Sequence, residues 1–334
     1  MVAPIQINRE LCLNNNYKKM QCDLCRKICP DGCINEDLAV DNKCCTECGL
    51  CLAVCPSEAV MGENFTPQAL SKLFADPSTP VVLSCRRQDT ESPWPCLGFI
   101  DARLLLALTA CGTGGERCVY VDDRACEDCK KGIQAHLQKA LSQANALLAT
   151  YGMPPVQAGT AVAHVQPKAK PISRRAFFSE LFGATVEAVR QAVIAGPACA
   201  ERLPRQEMFN KYMTRQASDI PSQQVFHSLT VSDACRGCGS CAKFCPNKAI
   251  TIQDQGGAAI DIYHDPMACT GCSVCIVHCP QQALSLTWAT KLAKHKVAVT
   301  LLPRCTSCGQ IYQPIGSQTM CLECMLKKRN QVLW

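Results

Sequence analysis

The sequence predicts an α+β, modular chain. Two cysteine-rich repeat modules flank a small α/β domain, a helical linker joins the parts, and a four-cysteine ribbon lies at the C-terminal end. Three observations carry this reading. A cysteine run ending in Cys-Pro recurs near both ends of the chain. Between its copies, short β-type runs alternate with apolar helical runs. Two Cys-x2-Cys knuckles stand twelve residues apart near the C-terminus. The boundaries read as 1–65, 78–150, 151–225, 226–290 and 295–334. A length of 334 residues suits two or three domains of ordinary size.

The repeat is complete three times. Cys45-x2-Cys48-x2-Cys51-x3-Cys55-Pro56 is matched by Cys235-x2-Cys238-x2-Cys241-x3-Cys245-Pro246 and by Cys269-x2-Cys272-x2-Cys275-x3-Cys279-Pro280. The residues after each proline also agree, as CPSEAV, CPNKAI and CPQQAL. A fourth copy, Cys22-x2-Cys25-x3-Cys29-Pro30, lacks its first cysteine. An acidic or amide residue supplies the phase. Asp41 and Asp265 lie four before Cys45 and Cys269, and Asn8 lies four before Cys12. The fourth copy therefore reads Cys12-x9-Cys22-x2-Cys25-x3-Cys29, with residues 13–21 inserted in its loop. Cys33 falls where the other copies carry Ala59, Ala249 and Ala283, so it reads as a small packing residue rather than a ligand. Cys44 is out of phase and reads as a bystander beside Cys45.

Three cysteines two residues apart let one tight loop donate to three irons of a cubane, while the fourth points away. The modules at 1–65 and 226–290 resemble bacterial 2[4Fe-4S] ferredoxins. In those proteins the fourth cysteine ligates the other cluster. The resemblance implies four [4Fe-4S] sites: Cys12, Cys22, Cys25 with Cys55; Cys45, Cys48, Cys51 with Cys29; Cys235, Cys238, Cys241 with Cys279; and Cys269, Cys272, Cys275 with Cys245. The Cys-Pro ending favours clusters over four zinc sites.

Between the modules, Val81–Ser84 and Cys118–Val121 read as buried strands, residues 101–111 as an apolar helix, and residues 130–150 as a long amphipathic one. Cys85, Cys96, Cys126 and Cys129 sit at strand and loop ends with spacing x10, x29, x2. The pieces SCRR, PCLGFIDAR and ACEDCKKG resemble the small iron–sulfur subunit of methanogen hydrogenase–heterodisulfide reductase complexes, and the spacing is similar to that of thioredoxin-like [2Fe-2S] proteins. The resemblance implies a [2Fe-2S] cluster on these four residues. The cysteine pair expected near the first ligand is single here, and zinc or no metal stay open as alternatives. Cys111 and Cys118 read as core thiols.

Residues 152–225 hold no ligand set. A Pro/Ala-rich stretch runs to Pro171, and Ser173 begins an amphipathic pattern carrying Phe178, Leu181, Phe182, Val186, Val189 and Val193, which predicts a docking helix. Ser173-Arg174-Arg175-Ala176-Phe177-Phe178 resembles a twin-arginine export motif, but its mid-chain position, with no cleavable apolar region after it, argues against export. At the end, Cys305-x2-Cys308 and Cys321-x2-Cys324 read as a structural zinc ribbon. The first knuckle is similar to that of rubredoxin, so iron or a further cluster remain the other occupants.

Cysteine usage sets the expected compartment. There are 29 cysteines, and the first residues show neither a basic region nor an apolar run, which predicts a cytoplasmic chain whose thiols meet metal rather than disulfide partners. The formal charge of +6 counts every cysteine as neutral. Each four-thiolate site carries about −2 with its metal, so six sites would leave the chain near −6. The basic balance is therefore weak support for nucleic-acid binding. No Walker A, no GxGxxG between strand and helix and no Ser/His/Asp set occurs, so no catalytic site of the chain's own is visible.

The sequence thus reads as an electron-transfer subunit. Its overall plan resembles the iron–sulfur subunits of anaerobic electron-bifurcating complexes: Sporomusa-type transhydrogenases and related hydrogenase or formate dehydrogenase assemblies. The resemblance implies a hetero-oligomer with flavoprotein or iron–sulfur partners that bind NAD(P)(H) or ferredoxin. A free soluble polyferredoxin, a cluster-bearing nucleic-acid protein and a cluster scaffold are the other classes. Because over 150 residues separate the two modules, each is expected to reach a different partner.

Overall fold

The computed structural model describes residues 5–112, 117–129, 132–159, 205–213 and 224–331. The docking helix expected after Ser173, the arginine pair within it and Cys199 lie outside these residues.

The two repeat modules share one plan. In the first, Ile5–Ile7 pairs antiparallel with Val60–Gly62. In the second, His227–Val231 pairs antiparallel with Leu284–Trp288. Each strand pair closes its module by joining the residues before the first cysteine to those after the last Cys-Pro. The second module adds a longer hairpin, Ile250–Asp254 with Ala259–His264. Its counterpart in the first is only a bridge between Ile34 and Val40.

The middle domain is a three-stranded parallel sheet in the order Val81–Leu83, Val119–Val121, Gln157–Ala158. The third strand falls in the Pro/Ala-rich stretch expected to belong to the linker. Its placement is set by Asn145, whose side-chain amide both donates to Val156 O (2.9 Å) and accepts from Val156 N–H (2.8 Å), turning the chain back toward the sheet. Asp101 caps the helix Ala102–Ala110 by accepting from Leu104 N–H at 2.8 Å. The helix Ile133–Thr150 buries Ile133, Leu137, Ala140, Ala144, Leu147 and Leu148, a stripe of three- and four-residue steps. Leucine supplies this core where aromatic residues are few. Cys111 is buried with its thiol toward Leu108 O, as a core thiol should be. Cys118 is exposed, contrary to expectation: at the start of the central strand its carbonyl accepts from Val81 N–H while its side chain is left open to solvent.

The modules are not kept apart by their distance in sequence. One continuous core takes in the first module, the middle domain, the helix Arg205–Met213, and Phe226, Met267, Ala289 and Leu292 of the second module. The helix Arg205–Met213 lies in this seam. The Glu58 carboxylate caps it, accepting from the backbone N–H groups of Arg205 (2.8 Å) and Gln206 (3.0 Å). Arg205 donates to Leu52 O and Phe99 O and pairs with Asp101 at 3.2 Å. Arg103, on the middle domain's first helix, donates to Gln206 Oε1 and to Cys269 O, both at 2.6 Å, and lies over Phe226. The second module has a small core of its own around Leu229, Ile250, Ile260, Ile262 and Leu284.

The described residues from 295 to 331 do not form one unit. The strand His295–Leu301 pairs antiparallel with Ala259–His264 and so extends the second module's sheet. The run His295-Lys296-Val297-Ala298-Val299, inside the range expected to form the ribbon, is a strand signal.

The middle domain meets the first module at a close backbone contact. Gly98 has no room for a side chain: a Cβ there would run into Cys48 O and come within 3.1 Å of Ile133 Cδ1. Gly98→Ala is expected to lower stability by about 1–3 kcal/mol. Thermal unfolding of the intact protein against the variant measures it, and an unchanged midpoint would contradict this packing.

Candidate metal centres

The backbone repeats as the cysteines do. After each Cys-Pro the third residue from the cysteine adopts positive φ: Gly32 (63°), Glu58 (52°), Lys248 (53°) and Gln282 (51°). That turn aims the next N–H back at the cysteine sulfur. Cys33 N–H donates to Cys29 Sγ, Ala59 to Cys55, Ala249 to Cys245 and Ala283 to Cys279, each at 3.3 Å. Such bonds favour a thiolate acceptor. A second positive-φ pair flanks the middle cysteine of each complete loop: Glu47 and Gly49, Gly237 and Gly239, Gly271 and Ser273. These turns bring three cysteines of one short loop around a common space.

Four cavities result, each with about 320 to 350 Å³ of unfilled space, counting its solvent-open mouth. Cys12, Cys22, Cys25 and Cys55 line one. Cys29, Cys45, Cys48 and Cys51 line the second, Cys235, Cys238, Cys241 and Cys279 the third, and Cys245, Cys269, Cys272 and Cys275 the fourth. The structure thus assembles the four sets with the fourth cysteine exchanged between half-repeats. Cys12 lies with its set because the insertion folds back on itself. The Asn14 side chain donates to Cys22 O and accepts from Cys22 N–H, both at 2.7 Å.

Four of these thiols resist ionisation on their own. Burial first, then the neighbouring cysteines, push Cys25 up to about 11, Cys241 and Cys275 to about 12, and Cys51 higher still. Four thiolates around one space repel each other, and a multiply charged cation reverses that balance. The donor set therefore fits an iron–sulfur cluster.

In the middle domain, Cys85, Cys96 and Cys126 are buried and Cys129 is half-buried. Burial and the adjacent Cys96 and Cys85 raise the Cys126 thiol to about 12. A hydrogen bond with Cys129 raises the Arg87 guanidinium, which also donates to Asp128 O (3.3 Å). The four sequence-selected cysteines are neighbours, and an exposed arginine stands beside them.

The ribbon brings Cys305, Cys308, Cys321 and Cys324 so close that all four sulfurs lie within 4.8 Å of one another. The Cys305 sulfur accepts from Cys321 N–H (3.3 Å) and Ser307 N–H (3.4 Å). Those backbone donors hold its thiol down at about 6. A sulfur that ionises readily among three others fits a tetrahedral metal ion.

Pairs of neighbouring residues connect the six cysteine sets in series. Cys96 neighbours Cys48, so the middle set borders the Cys29–Cys51 cavity. Cys51 neighbours Cys25 of the next cavity. Tyr17, in the insertion after Cys12, meets the His278 ring edge-on at 5.5 Å and lies near Cys272 and Cys245. Cys275 neighbours Cys241. Gln313 of the ribbon donates to Gly237 O (3.3 Å), inside the Cys235–Cys241 loop. Tyr17, His278 and Arg103 were not foreseen; an aromatic residue in an insertion rich in Asn and Lys was the available signal.

Cys33 and Cys44 are joined as a disulfide, with Cα atoms 5.5 Å apart. This corrects the reading of Cys33 as packing and of Cys44 as a bystander. Asp41 N–H donates to Cys33 O (2.9 Å), which lays the loop holding Cys44 against Cys33.

Residues 234–283 match the 4Fe-4S dicluster domain family. All eight cysteines of the second module fall inside that match. The chain therefore carries a ferredoxin-type 4Fe-4S domain, and iron–sulfur electron transfer is the function that such a domain supports. Over 47 residues the chain is 39% identical to pyruvate synthase subunit PorD of Methanothermobacter marburgensis, covering 14% of this chain and 58% of that protein. It is 40% identical over 47 residues to a 7Fe ferredoxin of Hydrogenibacillus schlegelii, covering 13% and 60%. The chain spans less than two thirds of the length of these curated relatives. No described helix is long and apolar enough to cross a membrane.

Proposed function

We propose that the chain is a multi-cluster electron-transfer subunit, moving single electrons between redox partners of a larger oxidoreductase. The series of six cysteine sets carries this reading. In it, each ferredoxin-type set holds a [4Fe-4S] cluster, the middle set a [2Fe-2S] cluster, and the ribbon a zinc ion. Bound clusters supply one-electron redox chemistry. The chain's own residues space the sets, seal them in apolar surroundings, and offer backbone N–H groups to the sulfurs. The ribbon, docked on the last cysteine loop, props that end of the series.

The series also changes the expectation that each module serves its partner separately. With both modules in one core, an electron entering beside the middle domain leaves through the second module without any domain movement. Partners are flavoprotein or iron–sulfur subunits linked to NAD(P) or ferredoxin, in a bifurcating assembly of the kind the sequence resembles. A relative named as a subunit of pyruvate synthase is in keeping with the subunit role, and one named as a 7Fe ferredoxin with a free carrier. The chain acts in the cytoplasm in this reading.

Metal analysis of anaerobically purified protein tests it. About 18 irons and one zinc per chain are expected from the cluster types. About 16 irons with zinc would remove the middle cluster, and about 8 in fully reconstituted protein would end the two-module reading. Co-elution with flavin on size exclusion of the native extract separates a subunit from a free polyferredoxin.

A further inference from the structure

The Cys33–Cys44 disulfide stands at the wall of a cluster cavity. Cys33 lines the same cavity as Cys29, Cys45, Cys48 and Cys51. Its own N–H is bonded to Cys29 Sγ at 3.3 Å, and Cys44 is the residue before Cys45. The pair is thus tied to the cavity from both sides, once through a hydrogen bond to a ligand sulfur and once through the peptide bond to a ligand residue. The three other half-repeats carry alanine at the position of Cys33, so the fold does not need a sulfur there.

The two sulfurs differ in access. Cys33 is 4% exposed and faces the cavity. Cys44 is half-buried at the surface, with its sulfur 3.1 Å from Asp31 O. One sulfur faces the metal-binding interior and the other faces outward.

We propose that Cys33 and Cys44 form a two-electron, two-proton redox site served by the one-electron centre of the adjoining cavity. This rests on the reading that Cys29, Cys45, Cys48 and Cys51 hold a cluster. In the reducing direction the S–S bond takes two electrons, one at a time, and two protons from water, and gives two thiols. In the oxidising direction the Cys44 thiolate attacks an external disulfide and releases one thiol. Cys33 then displaces the second thiol and restores the Cys33–Cys44 bond. The substrate class is a disulfide small enough or exposed enough to reach Cys44. The site converts single electrons into thiol chemistry.

The full-length, cluster-loaded protein is oxidised with glutathione disulfide, desalted, and reduced anaerobically with methyl viologen radical. Samples are quenched with N-ethylmaleimide, and alkylation of Cys33 and Cys44 is read by peptide mass spectrometry. Both thiols are expected to appear together. In Cys51→Ser, which lacks a ligand of the adjoining cavity, they should appear at least tenfold more slowly. Adding glutathione disulfide to the reduced protein should remove both thiols and release two equivalents of glutathione. Equal rates with and without that cluster overturn the proposal, as does a pair that glutathione disulfide never oxidises. Iron content and the EPR spectrum, measured on the same samples, report the cluster reading separately. A full iron complement beside an inert pair defeats only the disulfide site, whereas missing iron at this cavity defeats both.

Discussion

Replacing Cys12 with serine is expected to cost the protein one whole cluster or convert it to a three-iron form, a loss of about one to four irons per chain. Replacing Cys33 with alanine is expected to leave iron unchanged. The two residues compete for the role of missing ligand in the degenerate half-repeat. Cys12 lines the cavity with Cys22, Cys25 and Cys55, held there by the Asn14 bridge to Cys22. Cys33 lines the other N-terminal cavity, where Cys29, Cys45, Cys48 and Cys51 already number four. Iron analysis with EPR at low temperature decides between them. Iron loss in Cys33→Ala with full loading in Cys12→Ser would reverse the alignment of the half-repeats.

Replacing Arg103 with leucine is expected to weaken the seam between the modules by on the order of 3 kcal/mol. The guanidinium satisfies Gln206 Oε1 and Cys269 O at once and covers the Phe226 ring at 4.9 Å. Leucine fills much of the space but leaves both oxygens without their donor, and a buried acceptor left unpaired costs about 1–3 kcal/mol. Lysine should restore only part of the loss, because one ammonium on a flexible stem does not reproduce a planar fork. Hydrogen exchange at the backbone around Cys269 is the sharpest readout. Protection there should fall in Arg103→Leu while the first strand pair, Ile5–Ile7 with Val60–Gly62, stays protected. Equal protection in both proteins would show that the core alone holds the modules together.

The cysteine sets were legible in the sequence because a ligand loop is a local object. Spacing fixes which cysteines share a loop, and the shared residues after each Cys-Pro fix the phase of the copies. Cys12 was legible through Asn8, which stands where Asp41 and Asp265 stand; each side-chain oxygen accepts from the N–H two residues on, at Glu10 (2.9 Å), Lys43 (2.9 Å) and Met267 (3.0 Å), and each backbone carbonyl from the cysteine N–H four residues on. The middle strands and helices were legible through apolar periodicity. What escaped was long-range. The helix Arg205–Met213 has a weak pattern, RQEMFNKYM, and becomes definite only once Glu58 caps it from 147 residues away. The disulfide escaped because nothing in the spacing of Cys33 and Cys44 reveals that Asp41 brings them together. The arrangement of the two modules escaped because a long separation in sequence says nothing about the distance between ends that a shared core draws together.

The seam also sets a timetable for synthesis. Phe209, Phe226, Met267, Ala289 and Leu292 complete a core whose other walls, among them Leu52, Phe99 and Leu105, are made much earlier. While the ribosome is still working through the middle of the chain, the first module and the parallel sheet stand with an uncovered greasy side. A nascent chain in this state is a client for holding chaperones, and one that arrests before residue 205 leaves that side bare. Two halves made as separate polypeptides, cut between residues 160 and 204, would carry complementary sticky faces and find each other again. Co-expressed fragments should therefore elute as one particle, and the first fragment made alone should aggregate.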